Sequence, residues 1–168
     1  MGVVIKAPEG FRRIRRSNRL LQERVHDTYK SRAKLPEPAR CPDCGAVFRA
    51  GRWRWGPAEA GAHEQRCPAC HRVLDRFPAG YVAIGGEFLE GHRDEIIHLV
   101  RNVEAREKAE HPLERLMAIE DGADGLLVTT AAPHLARAIG DALEHAFRGK
   151  LEYHYNKEDR LLRVHWTR

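Results

Sequence analysis

The four cysteines of this chain form two closely spaced pairs, and no other cysteine is present. The pairs are Cys41-Pro42-Asp43-Cys44 and Cys67-Pro68-Ala69-Cys70, with 22 residues between them. A proline and a short residue between the sulfurs favour a tight turn that points both thiolates at one place. Two such turns supply the four soft ligands that a structural Zn²⁺ takes in a tetrahedron, at an interval slightly longer than is usual for the double Cys-x-x-Cys pattern. The sequence therefore predicts a zinc ribbon over residues 41–80, with Zn as cofactor and with the ligands Cys41, Cys44, Cys67 and Cys70.

Two other uses of the cysteines stay open, namely two disulfides or a redox-active Cys-x-x-Cys. No secretory signal opens the chain, so we expect a cytoplasmic protein in a reducing compartment, which disfavours disulfides. Redox sites usually carry one such pair at a strand–helix junction, not two. His63 is a less favoured competing ligand. Four protein ligands would leave no open coordination position, which argues against catalysis at the zinc.

Charge is distributed unevenly along the chain. Residues 1–40 carry eleven Lys and Arg against four Asp and Glu, a net charge of +7, whereas residues 41–80 carry +2 and the remainder −4. A basic N-terminal region followed by a slightly acidic remainder indicates a polyanionic partner. RNA or the ribosome is the favoured partner, although charge does not distinguish RNA from DNA. A solubilising tail is the alternative. No apolar run approaches the roughly 20 residues of a membrane span, so no membrane partner is expected.

Residues 1–40 are predicted to be a basic arm and linker. A short helix can begin at Ser17 or Asn18, but two apolar turns do not hold a helix alone. We expect the arm to be disordered or loosely docked until a partner orders it. The arginines expected to neutralise phosphates are Arg12, Arg13, Arg15, Arg16 and Arg19.

The ribbon contains the alternating run Arg52-Trp53-Arg54-Trp55. Because side chains alternate along a strand, both Trp are expected on one face and both Arg on the other. The four residues can stack on and neutralise single-stranded bases and phosphates. Alternatively, the two Trp side chains cover the small ribbon core.

Residues 81–168 are predicted to form the main domain, in the order β-α-β-β-α-β with one added strand. This order is typical of the ferredoxin-like plan, an antiparallel sheet with two helices on one face, and places the chain in the α+β class. The expected strands cover residues 81–84, 113–120, 126–130, 151–155 and 161–166, and Phe88-Leu89 is expected to resume the first. The expected helices run from Gly91 to Ala109 and from Pro133 to Gly149.

Several segments resemble a family of small, uncharacterised bacterial zinc-ribbon proteins. They are the two cysteine pairs, Val128-Thr129-Thr130, His134-Leu135-Ala136-Arg137-Ala138-Ile139-Gly140 and Arg163-Val164-His165-Trp166. The stretch from Thr129 to Arg137 is also similar to a segment of the archaeal and eukaryotic export adaptor of the large ribosomal subunit. These resemblances imply a role linked to RNA or the ribosome.

Together these features predict a non-enzymatic protein that binds RNA or the ribosome and has no small-molecule substrate. A protein-interaction module and a zinc-ribbon DNA-binding regulator are the alternatives. An enzyme that acts on nucleic acid through His134 or His145 is less favoured, because no nucleophile, base and oxyanion site assemble in the sequence. The strand aromatics Tyr153 and Tyr155 would share a face and can either stack on bases or pack in the core.

Overall fold

A computed structural model of the protein describes residues 12–13, 29, 34–157 and 160–168. Within these residues the first elements are β1 (Arg12–Arg13), β2 (Ala39–Arg40), β3 (Val47–Arg49), β4 (Arg52–Arg54), β5 (His63–Glu64) and α1 (Pro68–Asp75). The remaining elements are β6 (Gly80–Gly85), α2 (Phe88–Glu110), β7 (Leu116–Gly122), β8 (Gly125–Thr130), α3 (Pro133–Phe147), β9 (Lys150–Asn156) and β10 (Leu161–Thr167). No helix in this part of the chain is both long and apolar enough to cross a membrane.

The larger sheet has the strand order β1-β9-β10-β6-β8-β7. Helices α2 and α3 pack against each other and against one face of this sheet. The core between the layers contains fully buried side chains from both, among them Val82, Ile139, Val164 and Trp166. The predicted α+β class and the two helices on one face of a sheet are therefore confirmed.

The sheet is mixed and not wholly antiparallel as predicted, because the last strand lies in its interior, parallel to the first strand of the main domain. Strand β10 lies between β9 and β6, antiparallel to β9 and parallel to β6, and the other pairs of this sheet are antiparallel. Its side chains Leu162, Val164 and Trp166 are all at most 1% exposed, which suits a central strand. Alternation of apolar residues indicates which face a side chain takes, but it does not identify the neighbouring strand.

The prediction that Phe88-Leu89 resumes the first strand is wrong. Phe88 begins α2, and its backbone N–H donates to the carbonyl of Arg168 at 3.0 Å. Its ring stacks on His92 and packs near Phe147 and Trp166. The contacts with Arg168, Phe147 and Trp166 come from other elements, so a local pattern does not contain them.

The cysteine-containing region forms a second, smaller sheet with the order β4-β3-β2-β5. Strand β3 pairs antiparallel with both β2 and β4. Helix α1 was not predicted, because its first turn contains the second cysteine pair, which the spacing assigns to a metal-binding turn. Its residues Val73 and Leu74 are exposed.

Before Lys34, the structure describes residues 12–13 and Tyr29 of the basic arm. Strand β1 pairs antiparallel with the edge strand β9, with Arg12 opposite Tyr155 and Arg13 opposite His154. Tyr29 lies near α1, where the guanidinium carbon of Arg72 is 4.5 Å from the centre of its ring. The predicted helix after Ser17, together with Arg15, Arg16 and Arg19, lies outside the described residues.

A buried carboxylate meets the start of α3. The first helical turn has no side-chain cap of its own, since Ala132 occupies the N-cap position. The side chain of Glu114 accepts a hydrogen bond from the backbone N–H of Leu135 in that turn. Burial nevertheless raises the pKa of Glu114 to about 7, and the nearby charge of Glu107 acts in the same direction.

This pKa predicts a pH dependence of stability. Between the ordinary pKa of 4.5 and the folded value of about 7, the folded chain holds a proton that the unfolded chain has lost. The free energy of unfolding should therefore fall as pH rises through this window, by up to about 1.4 kcal/mol per pH unit from this group. Glu114→Gln keeps an oxygen acceptor but cannot titrate. The free energy of unfolding of this variant should therefore fall less between pH 5 and 7 than that of the wild type.

Urea unfolding of both proteins at these two pH values, with bound metal held constant, checks this expectation. The matched control is Glu110→Gln, which changes an exposed carboxylate of α2. An equal pH dependence in the wild type and in Glu114→Gln would contradict the assignment.

Candidate metal centre

The first cysteine pair lies in a tight turn between β2 and β3. The backbone N–H of Cys41 donates to the carbonyl of Ala46 at 2.8 Å, and that of Gly45 donates to the carbonyl of Cys41 at 2.9 Å. Gly45 has φ of +78°, a left-handed conformation that glycine adopts without steric cost. The turn directs both of its sulfurs to the same side, as the spacing predicted.

The second pair lies at the start of α1. Cys67 is the N-cap residue, Pro68 occupies the first turn, and the sulfur of Cys67 accepts a hydrogen bond from the backbone N–H of Cys70 at 3.4 Å. Proline suits this position because the first turn has no internal acceptor for its missing N–H. The positive end of the helix dipole favours thiolates here. The second pair is therefore held by a helix start.

The four sulfurs converge. The Sγ atoms of Cys41, Cys44, Cys67 and Cys70 all lie within 4.8 Å of one another, and those of Cys44 and Cys67 are 3.8 Å apart. A disulfide requires about 2.05 Å, so these cysteines are not paired as disulfides. Four thiolates this close repel one another, and a cation at their centre offsets that repulsion. The predicted ligands thus form a site that can hold a metal ion. His63 is exposed on β5 and is not part of this group.

Backbone hydrogen bonds and burial have opposite effects on the pKa values of the cysteine thiols. Burial acts to raise the pKa of Cys41, but backbone hydrogen bonds, the strongest from Cys67, lower it to about 7. At Cys70 burial prevails over the hydrogen bonds and raises the pKa to about 11. At Cys67 burial and the neighbouring sulfurs raise the pKa as well.

An arginine from the main domain completes the surroundings of the site. Arg115 Nη1 donates to Cys70 Sγ at 3.2 Å, and Nη2 lies 4.0 Å from Cys67 Sγ. Burial alone would lower the pKa of Arg115, but the sulfurs of Cys44 and Cys70 raise it. No local spacing in the sequence predicts this contact, because Arg115 lies 45 positions beyond Cys70.

Other contacts attach the ribbon to the main domain. Cys41, Ala46, Cys67 and Ala69 form a small buried cluster with Ala131, which directly follows β8. The indole N–H of Trp55 donates to the carbonyl of Lys108 near the end of α2 at 2.6 Å. Asp43 and Arg66 form an ion pair between the two cysteine pairs, and Arg66 lowers the pKa of Asp43.

The residues predicted to bind nucleic acid fall into separate groups. Arg52 and Arg54 are exposed on β4, whereas Trp53 is half-buried and its ring lies 5.3 Å from that of Phe48. Trp55 is 39% exposed. The two Trp therefore differ, since Trp53 covers the ribbon core and Trp55 lies at the surface.

The structure does not assemble the aromatic stacking face considered for the large sheet. Tyr153 and Trp166 are at most 3% exposed, and Tyr155 packs against the same core. Tyr81 lies under Arg163, whose guanidinium carbon is 4.7 Å from the ring centre. Packing in the core, the alternative, is what the structure shows for Tyr153 and Tyr155.

The two histidines considered for catalysis lie apart. His134 is in the first turn of α3 and His145 in its last turn, and both are exposed. They are eleven positions apart along the helix, a distance of about 16 Å, so they do not form a pair around one substrate.

No family model matches the sequence, and neither the curated proteins nor the solved structures include a match to this chain. The resemblances to the bacterial zinc-ribbon family and to the export adaptor therefore stay predictions.

Metal removal should affect the two parts of the protein unequally. Strands β2 to β5 are two or three residues long and surround a small core, whereas the main domain has a core of its own. Stripping the metal with a chelator should therefore accelerate amide hydrogen exchange in residues 39–76 and leave β6, β8 and β10 protected.

Exchange followed by mass spectrometry checks this, with the metal restored as the control. Equal loss of protection in both regions, or no change in residues 39–76, would contradict the role given to the metal.

Proposed function

We propose that this is a non-enzymatic zinc protein of the cytoplasm that binds RNA, with the ribosome as its expected target. The observation that carries the RNA assignment is a set of four arginines on one face of the ribbon sheet, here called the arginine face. It consists of Arg40, Arg49, Arg52 and Arg54.

Zinc is the metal that best fits the donor set. Four thiolates at Zn–S distances of about 2.3 Å form a tetrahedron with edges of about 3.8 Å. The separation of 3.8 Å between the sulfurs of Cys44 and Cys67 equals that edge. A soft, fully sulfur-donating set favours zinc over the harder cations that take oxygen ligands. The role of zinc here is structural, because four protein ligands occupy all four positions.

Strand register brings the arginine face together. Arg40 on β2 and Arg54 on β4 are both opposite Val47 on the central strand β3, and Arg49 on β3 is opposite Arg52. Residues opposite one another share a face of the sheet. All four arginines are exposed, and Arg49 also forms a 2.6 Å ion pair with Glu59. Guanidinium groups presented in this way suit the phosphates of a nucleic acid backbone.

The arm and one Trp extend this surface. The net charge of +7 on residues 1–40 directly precedes Cys41, so the basic arm joins the ribbon at β2. Trp55 follows Arg54 and is accessible for stacking on an unpaired base, a contact worth about 1–3 kcal/mol. RNA presents such unpaired bases in loops and bulges.

Binding should depend steeply on salt and on the arginine face. The zinc-loaded protein is sedimented with ribosomal subunits and with whole ribosomes at about 50 and about 200 mM salt, and single-stranded RNA affinity is measured alongside. The double variant Arg52→Ala/Arg54→Ala removes two phosphate contacts. It should weaken RNA binding and reduce the slope of log K against log salt by about 1.4, because each single-strand contact contributes about 0.7.

The matched control is Arg101→Ala/Arg106→Ala, which removes two exposed charges from α2. It should leave the slope unchanged. A shallow salt dependence in the wild type, or equal slopes in the two double variants, would contradict the proposal. Stronger binding to duplex DNA than to RNA would instead favour a DNA-binding regulator.

One observation favours a second candidate function, a protein-interaction module. Val73, Leu74 and Phe77 at the end of α1 are 46–63% exposed and form an apolar surface beside the ribbon. Such a module would bind its target in a salt-insensitive way. Its binding would be lost in Leu74→Asp and kept in Arg52→Ala/Arg54→Ala.

A further inference from the structure

The four sulfurs differ in where their hydrogen bonds come from. Cys41 Sγ accepts from the backbone N–H of Cys67 at 3.3 Å, Cys44 Sγ from that of Ala46 at 3.5 Å, and Cys67 Sγ from that of Cys70 at 3.4 Å. Three sulfurs therefore have a donor from the ribbon backbone. Within the described residues, the donor recorded for Cys70 Sγ is the side chain of Arg115, at 3.2 Å.

Arg115 is fixed at both ends. Its Nε donates to the carbonyl of Pro112 at 2.8 Å, which orients the guanidinium toward the sulfurs. Its own carbonyl accepts from the backbone N–H of Ala131 at 2.9 Å, which holds the main chain against the residue that follows β8. The guanidinium thus reaches the second cysteine pair from a preset position in the main domain.

This placement has an electrostatic consequence. A zinc ion with four thiolates carries a net charge of −2, and a half-buried guanidinium beside it offsets part of that charge. Donation to a sulfur also draws electron density from it, which makes the sulfur a weaker nucleophile toward electrophiles. Outer groups of this kind orient the ligands and tune the metal site.

We propose that Arg115 is a positioning residue for the zinc site, which holds Cys70 in place and makes this sulfur resistant to chemical attack and to loss of the metal. The inference rests on the proposed zinc site. Cys41, Cys44 and Cys67 each have a backbone donor in the ribbon, and Arg115 also reaches Cys67 Sγ at 4.0 Å, but its closer hydrogen bond is to Cys70 Sγ. Cys70 is therefore the ligand most dependent on the main domain.

The test uses the full-length, zinc-loaded protein. The rate of zinc transfer to a coloured chelator is measured for the wild type, Arg115→Ala, Arg115→Lys and the control Arg93→Ala. The control removes one arginine that pairs with Asp121 far from the cysteines in sequence. Loss of an outer hydrogen-bond partner typically costs about 10–100-fold in metal affinity, so Arg115→Ala should release zinc faster by about this factor. Arg115→Lys keeps the charge without the planar fork and should be intermediate, and the control should match the wild type.

A second readout separates positioning from a general loss of stability. The proteins are alkylated briefly and digested with trypsin, which places the first cysteine pair in the peptide 41–49 and the second in 67–72. In Arg115→Ala, alkylation should begin at Cys70, as fragmentation of the second peptide locates it. A variant that is only destabilised would be alkylated at all four cysteines together.

The outcomes discriminate between the two proposals. If zinc-loaded Arg115→Ala releases zinc at the wild-type rate, or if its four cysteines are alkylated at equal rates, the proposed role of Arg115 is overturned and the proposed function is not. If Arg115→Ala does not fold, a wild-type release rate in Arg115→Lys overturns the requirement for the guanidinium fork. A wild-type chain that binds no zinc overturns the proposed function as well.

Discussion

The mutual approach of four cysteine sulfurs is the constraint on which the first half of the structure depends. The sulfurs lie within 4.8 Å of one another, and the strands around them are only two or three residues long. Strands of this length with so small a core do not stay folded by hydrophobic burial alone. A cation at the centre would supply what the core lacks, because it would replace repulsion between thiolates with four metal–sulfur bonds.

The same centre joins the ribbon to the main domain. Arg115 reaches the sulfurs from the segment between α2 and β7, and Trp55 bonds back to the end of α2. The orientation of the ribbon is thereby fixed, and with it the direction in which the arginine face points. A nucleic acid on that face would meet a preset row of guanidinium groups. Rigid positioning of this kind lowers the entropic cost of binding.

Local patterns in the sequence predicted the metal ligands and most of the elements. The two Cys-x-x-Cys pairs act through turns of a few residues, and the stripe of Leu135 and Ile139 identifies the buried side of α3. Several features that the sequence did not reveal depend on distant residues. Phe88 begins a helix in contact with Arg168 and Trp166. Strand β10 lies beside β6 in the interior of the sheet, where its apolar side chains are buried. Arg115 likewise meets Cys70 only through the fold.

The central claim is that the four cysteines hold one zinc ion. Native mass spectrometry of the purified protein, together with elemental analysis, measures this directly. The account predicts one zinc per chain, and substitution of Cys41 or Cys67 by serine should abolish or strongly weaken its binding. A chain that folds with no metal, or a zinc ion that is bound equally well after both substitutions, would contradict the account.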